Sequence, residues 1–283
     1  MAVQLEILQL FWKALTVGLL ITLCASLLGV TLVLRRFSMI GDGLSHVGFG
    51  TLAMAAAFGW APLPVAIPVV IAAAFLLLRG AGEKLRGDAA VALLSASCLA
   101  IGILALTLGG GTNVDLMGYL IGSLMGASTT DVYLSLGLCA VVLICFGLLY
   151  HRIFSVTFDE PFARATGVRT GAYQFITALL AALTIVLGMR MMGTLLISSL
   201  LIFPALIAMR VCKGFLSVTL VAAAVAIVCY LCGFALACFL PQGLPVGATI
   251  VCVNLCAFGL FAAAGFLRGL RKAPHGAAKG GAA

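Results

Sequence analysis

The stretch LTVGLLITLCASLLGVTLVL, residues 15–34, contains no charged side chain and is followed at once by Arg35 and Arg36. An α-helix rises about 1.5 Å per residue, so about 20 apolar residues are needed to cross a hydrocarbon core of about 30 Å. Residues 1–10 lack the basic segment that opens a signal peptide. The stretch is therefore interpreted as a retained membrane-spanning helix.

The composition extends this interpretation to the whole chain. Hydrophobic residues make up 64% of the 283 residues and charged residues only 8%, which excludes a soluble globular domain. No polar block is long enough to form a separate aqueous core. We predict an all-α, polytopic integral membrane protein in which residues 1–272 form the transmembrane domain.

Apolar runs of suitable length recur along the chain. Two of them are short, and one pair is separated only by Trp60-Ala61-Pro62, so the predicted count is eight or nine membrane spans, with nine preferred. The runs lie at residues 13–34, 44–60, 62–78, 89–108, 132–150, 171–188, 193–210, 215–240 and 244–267.

The basic residues predict the orientation of these spans. Clusters of Lys and Arg follow the first, third, fifth, seventh and ninth runs, and only Lys13 and Arg190 fall on the other side. This asymmetry predicts an N-terminus outside and a C-terminus in the cytoplasm. It also explains the net charge of +8 without a nucleic-acid partner. The Gly- and Ala-rich residues 273–283 are predicted to be a disordered cytoplasmic tail.

Gly41-Asp42-Gly43-Leu44-Ser45-His46 places a carboxylate and an imidazole at the start of an apolar run. On a helix, residues four apart share a face, with Cβ atoms about 5–6 Å apart. An ionisable group at membrane depth costs at least about 2.5 kcal/mol, which favours a functional role. Asp and His together are ligands for a divalent transition metal.

A structural alternative for this pair is a polar helix start in which Asp42 complements the helix dipole. That alternative accounts for Asp42 but not for His46, which lies further along the run. The surrounding small residues thin the helix and make room for the backbone of a neighbouring helix or for an ion; they are Gly41, Gly43, Ser45, Gly48 and Gly50.

Residues 151–171 are the longest and most polar predicted loop. Within it, Pro161 and Gly167 bracket a predicted short helix. Asp159 and Glu160 lie where the helix dipole favours anions, and Arg164 follows Glu160 by one turn. This helix either only connects two spans or docks another protein on the cytoplasmic face, and the residues alone do not choose between the two.

The segment between the fourth and fifth runs is predicted to contain a short helix. Gly118, Gly122 and Gly126 recur every four residues and would give it a small-residue face. Such a face serves internal helix packing or, alternatively, a dimer or pore contact. Ser128 followed by Asp131 predicts an N-cap for the fifth span.

Several chemistries are disfavoured by the residues. The ten cysteines lie mostly in apolar runs, where Cys behaves as a small hydrophobe. Cys229 and Cys232 could hold a metal, but no second thiol pair or His stands at ligand spacing. The absence of any Gly-Lys dipeptide excludes a P-loop for ATP. Protease and esterase motifs are also absent, so we expect no enzyme.

Three motifs together resemble a known family. The segment 35–46, RRFSMIGDGLSH, is similar to the arginine-to-histidine signature of the permeases of zinc, manganese and iron ABC importers, the ABC-3 family. Residues 158–168 resemble that family's coupling segment. Residues 184–200 and the following Phe203-Pro204-Ala205 resemble a third segment of that family. The resemblance runs from the first span to the last.

The resemblance implies a homodimeric permease in a prokaryotic cell membrane. It implies that this dimer, embedded in the lipid bilayer, works with two copies of an ATP-binding cassette ATPase and with an extracellular metal-binding protein. It gives Asp42 and His46 the role of ligands on the translocation path, with two such pairs meeting in the dimer. It assigns coupling to the ATPase to Asp159, Glu160 and Arg164.

The metal is then a transported substrate rather than a tightly bound cofactor. Zinc is favoured, with manganese and iron as alternatives. Manganese-type members often follow the His with a Pro-containing turn, whereas Val47-Gly48-Phe49-Gly50 follows here. This difference weakens a manganese assignment without establishing zinc.

Two other functions are consistent with the same residues. In a proton-coupled secondary carrier acting without an ATPase, Asp42 and His46 would relay protons. In a scaffold or assembly subunit, the substitutions Asp42→Asn and His46→Ala would be silent.

Overall fold

A computed structural model describes residues 2–35, 37, 39–80, 87–109, 122, 128–240 and 244–271, with only the backbone given for 2–10, 79, 80, 87 and 265–271. These residues contain helices and no strand, which confirms the all-α prediction. The helices are α1 (Ala2–Leu34), α2 (Ile40–Ala57), α3 (Pro62–Gly80), α4 (Gly87–Leu108), α5 (Thr129–Phe158), α6 (Glu160–Ala165), α7 (Thr170–Met192), α8 (Thr194–Val211), α9 (Phe215–Phe239) and α10 (Val246–Arg271).

Each predicted apolar run coincides with one long helix. Seven helices in the described part are long and apolar enough to cross a membrane: α1, α4, α5, α7, α8, α9 and α10. The other two long helices are α3, whose apolar part is the shorter Pro62–Leu78, and α2, which carries Asp42, His46 and several glycines. The predicted tail at 273–283 lies outside the described residues.

One predicted boundary is wrong. Residues 151–158, expected to begin a loop, form the last two turns of α5. Ile153 and Val156 are buried there while His151 and Arg152 are exposed. The helix continues because this stretch is amphipathic and packs its apolar side against the bundle after the fully apolar run has ended.

The core is built around α1. This helix packs against α5, α7, α8 and α9, while α2 packs against α3, α4, α7 and α8. Gly29 of α1 lies directly on the backbone of Leu201 in α8. The buried Tyr230 hydroxyl of α9 donates a hydrogen bond to the Ala14 carbonyl oxygen at 3.1 Å.

Each end of the bundle carries a contact between an arginine and an acidic residue. At one end, Arg35 at the end of α1 reaches Glu160 in α6. At the other end, Arg190 near the end of α7 lies 3.9 Å from Asp131 in α5. Arg190 therefore lies at the end opposite Arg35, as the topology predicted for a basic residue outside the main pattern.

The predicted cap of α5 is confirmed. The Ser128 hydroxyl accepts a hydrogen bond from the Asp131 backbone N–H at 3.2 Å, and an Asp131 carboxylate oxygen accepts one from the Ser128 N–H at 3.0 Å. The predicted short helix before it lies outside the described residues apart from Gly122, which packs on the backbone of Met192 and Gly193. Its glycine face is untested.

Candidate functional site

The start of α2 is fixed to the end of α1 by backbone hydrogen bonds. The Phe37 N–H donates to the Leu32 carbonyl at 3.0 Å, and the Ile40 N–H donates to the Phe37 carbonyl at 3.3 Å. Phe37 is buried and anchors the joint. Asp42 then falls in the first turn of α2, and His46 one turn later.

The structure brings Asp42 and His46 together. His46 Nε2 lies 3.5 Å from Asp42 Oδ1. Between Ile40 and Ala53, these two are the positions that are not buried, with side chains 42% exposed for Asp42 and 21% for His46. The distance exceeds that of a strong hydrogen bond, so both groups keep lone pairs available for another ligand.

His46 is not satisfied as a structural histidine would be. Its Nδ1 atom is buried and has no hydrogen-bond partner within the described residues. A buried polar atom without a partner costs about 1–3 kcal/mol. This cost favours a functional reason for an imidazole at this position over a structural one.

The glycines of α2 make room for neighbouring helices. A Cβ atom at Gly43 would overlap the Val91 side chain of α4, and one at Gly50 would overlap the Cys98 carbonyl oxygen of the same helix. At Gly48 it would lie 2.9 Å from the Met189 methyl group of α7. Close helix packing accounts for these glycines, and Gly50, one turn after His46, lies against the backbone of α4.

Asp42 and His46 are the two candidate ligands that the described residues bring together. No group of three or more His, Cys, Asp or Glu side chains that could hold a metal is found in the part of the chain that the structure describes. Cys229 is buried whereas Cys232 is exposed, and neither joins such a group. The Asp42–His46 pair is therefore the candidate site within the described residues.

The second candidate region is the short helix α6, which forms as predicted. The Asp159 carboxylate caps it by accepting a hydrogen bond from the Phe162 N–H at 2.9 Å. Gly167 follows the helix with a φ of +83°, a conformation that favours glycine. Glu160 and Arg164 form an ion pair one turn apart, with an N–O distance of 2.9 Å.

Glu160 also contacts Arg35, which the sequence analysis had placed only among the basic residues that follow the first apolar run. The other Glu160 oxygen lies 3.2 Å from Arg35 Nη2. The Arg35 side chain is 10% exposed, against 72% for Arg164. Burial lowers the pKa of Arg35, and the Glu160 carboxylate opposes that shift. No sequence signal links residues so far apart along the chain.

The outer surface of α6 combines apolar and charged groups. Phe158, Phe162 and Arg164 are all exposed. Beside them lies an open groove of about 560 Å³ lined by Glu160, Pro161, Arg164 and Ala165. Exposed aromatic side chains next to charges are typical of protein-binding surfaces.

The chain matches a known protein family over most of its length. Residues 7–264 match the family model described as the ABC 3 transport family. The chain belongs to the ABC 3 transport family. As a member of that family it is a permease of a metal-transporting ABC system and a multi-pass protein of the cell membrane.

Relatives of this ABC 3 permease carry different metals in their names. The high-affinity zinc uptake system membrane protein ZnuB of Haemophilus influenzae is 31% identical over 206 residues, covering 71% of this chain and 78% of its own. The manganese transport system membrane protein MntC of Halalkalibacterium halodurans is 29% identical over 193 residues, covering 68% and 66%. The two names therefore do not decide the metal.

A solved structure shares the fold of this ABC 3 permease. PsaBC from Streptococcus pneumoniae in complex with Fab superimposes with a TM-score of 0.76 at 24% identity, covering 88% of this chain and 90% of that one. At this identity the likeness concerns the fold alone.

Proposed function

We propose that this permease imports a divalent transition metal, with zinc favoured, and that Asp42 and His46 are transient ligands on the translocation path. The observation that carries the proposal is the 3.5 Å separation of His46 Nε2 and Asp42 Oδ1. Two ligands held about 2.1 Å from a tetrahedral zinc ion lie about 3.4 Å apart, from the tetrahedral angle. The two side chains are already spaced for chelation.

The same pair of side chains can also serve an octahedral ion. Neighbouring ligands at right angles and about 2.2 Å from a manganese ion lie about 3.1 Å apart, closer than in this pair. The Asp42 carboxylate can reach either spacing by a small rotation, so manganese and iron stay as alternatives. Ligands on a transport path must bind well enough to select the ion and weakly enough to release it.

A second copy of the chain would complete the site. The pair lies on the partly exposed side of α2, and one chain supplies two ligands. A two-fold partner would add another Asp42 and His46 and give four protein ligands. Most homo-oligomers have this symmetry, in which the same patch meets itself.

The energy would come from a separate ATP-binding cassette subunit. The exposed Phe158, Phe162 and Arg164 offer that subunit a mixed apolar and charged docking surface at the cytoplasmic end. Asp159 and Glu160 shape the helix that carries this surface. An extracellular metal-binding protein would deliver the ion to the opposite end.

The test is metal uptake by the permease reconstituted with its ATPase subunit in proteoliposomes. Asp42→Asn and His46→Ala should abolish ATP-dependent zinc uptake, with zinc and manganese supplied in competition to rank the two. Matched controls are Asp88→Asn, an exposed first-turn aspartate of α4, and His151→Ala, an exposed histidine of α5. Both controls should transport like the wild type.

Two results would contradict the proposal. Unchanged uptake in both Asp42→Asn and His46→Ala would remove the pair from the path. Wild-type uptake that continues without ATP and collapses with the proton gradient would establish a secondary carrier instead.

A further inference from the structure

Arg35 occupies an unusual position for a basic residue of a cytoplasmic cluster. It lies between α1 and α2, yet its side chain is only 10% exposed. Its guanidinium is 3.2 Å from Glu160 of α6, which is distant in the sequence. The contact joins the helix that carries the candidate docking surface to the joint that carries the candidate metal pair.

The two arginines on Glu160 are not equivalent. Arg164 is 72% exposed, and an exposed pair one turn apart contributes little to stability. The Arg35 side chain is only 10% exposed, so separating it from Glu160, which is 30% exposed, leaves a largely desolvated charge without its partner. Separating Glu160 from Arg164 therefore costs little free energy. Moving α6 so that Glu160 leaves Arg35 costs more, because Arg35 is the less exposed of the two arginines.

The joint on the other side of Arg35 is short and firmly bonded. The Phe37 N–H donates to the Leu32 carbonyl of α1 at 3.0 Å, and the Ile40 N–H of α2 donates to the Phe37 carbonyl at 3.3 Å. These two bonds tie the start of α2 to the last turn of α1 through the buried Phe37. A displacement of Arg35 at the end of α1 would therefore also displace Asp42 in the first turn of α2.

We propose that Arg35 is a positioning residue that couples movement of α6 to movement of α2, and with it the Asp42–His46 pair. This inference rests on the proposed function for its transport consequence. Glu160 is the contact point on α6, and the partly buried Arg35–Glu160 pair is the link that carries the motion. Arg164 holds the Glu160 carboxylate in place from the exposed side.

The first experiment measures metal transported per ATP hydrolysed by the reconstituted complex. Arg35→Gln should lower this ratio about tenfold, within the range of ordinary coupling factors, while ATP hydrolysis and co-purification of the ATPase subunit persist. The control Arg152→Gln removes an exposed charge at the same end and should leave the ratio unchanged. A purely structural role would lower stability and both activities together, without changing the ratio.

Conservative and exchanged variants guard against a folding defect. Arg35→Lys keeps the charge and should retain most of the coupling. The exchange Arg35→Glu with Glu160→Arg should recover coupling that either single change loses, since Arg164 is exposed and its repulsion is screened. An exchange no better than the single changes, in protein with wild-type thermal stability, would overturn the proposal.

The second experiment does not depend on transport. A nitroxide is attached at Met39→Cys, the exposed residue before α2, in a background where the other accessible cysteines are serine. Nucleotide binding to the complex should change the spectrum of the label, and Arg35→Gln should abolish the change. A response that survives in Arg35→Gln would overturn the link even if the wild type transports no metal.

Discussion

Gly50 of α2 and Gly102 of α4 face each other so closely that a methyl group on Gly102 would lie 2.5 Å from the Gly50 Cα atom. The neighbouring Cys98 carbonyl oxygen occupies the corresponding space beside Gly50. Two backbones can approach this far only where neither residue carries a side chain. The helix with the candidate metal pair is thus held against α4 by backbone contact.

Gly102→Ala should force α2 and α4 apart and destabilise the protein by about 1–3 kcal/mol, the usual cost of overpacking. The measurement is thermal unfolding in detergent. Gly137→Ala is the matched control, because Gly137 lies within α5 and has open space where its Cβ would be. The control should be neutral or stabilise by about 0.5–1 kcal/mol. Equal stability of the two variants would contradict the contact.

Tyr230→Phe should destabilise the protein by about 1 kcal/mol, because it removes a buried hydrogen bond without changing the ring. The lost bond joins α9 to the Ala14 carbonyl of α1 at 3.1 Å. Tyr133→Phe, at a position 74% exposed, should leave the unfolding temperature unchanged. If both variants unfold together with the wild type, the hydroxyl does not hold α9 to α1.

Ser128→Ala should destabilise the start of α5 by about 1 kcal/mol, since the hydroxyl that accepts from the Asp131 N–H is lost. Amide hydrogen exchange should accelerate in the first turn of α5 and not at its far end. Thr130→Ala alters an exposed residue of the same turn and serves as the control. Protection unchanged by Ser128→Ala would argue against the capping box.

Metal stoichiometry tests whether the candidate site is shared between copies. If the proposed site combines the Asp42–His46 pairs of two copies, we expect one zinc ion per two permease chains under conditions without ATP hydrolysis. The measurement is equilibrium dialysis with metal analysis of the purified complex. Asp42→Asn should lower the affinity with no change in oligomeric state. One ion bound per monomeric chain would show that the site is complete without a partner.

Much of the architecture could be predicted from local sequence. The apolar runs gave the number and order of the long helices, because spanning a hydrocarbon core requires length and composition that few segments meet. The cap at Ser128 and the short helix after Asp159 were predicted from residues that act within one turn of themselves. The end of α5 was misplaced, since an amphipathic turn beyond the membrane is stabilised by the packing of Ile153 rather than by its own composition.

Some features of the candidate site could likewise be predicted from the sequence, and others depended on how the helices pack. The pairing of Asp42 with His46 follows from helical spacing alone, because residues four apart on a helix always share a face. The sequence left open whether the glycines of α2 admit an ion or a helix, and only the packing of Val91 and Met189 against them decided it. Burial of Arg35 against Glu160 was likewise decided by tertiary structure, because contacts between distant segments depend on how helices pack and leave no periodic trace in the chain.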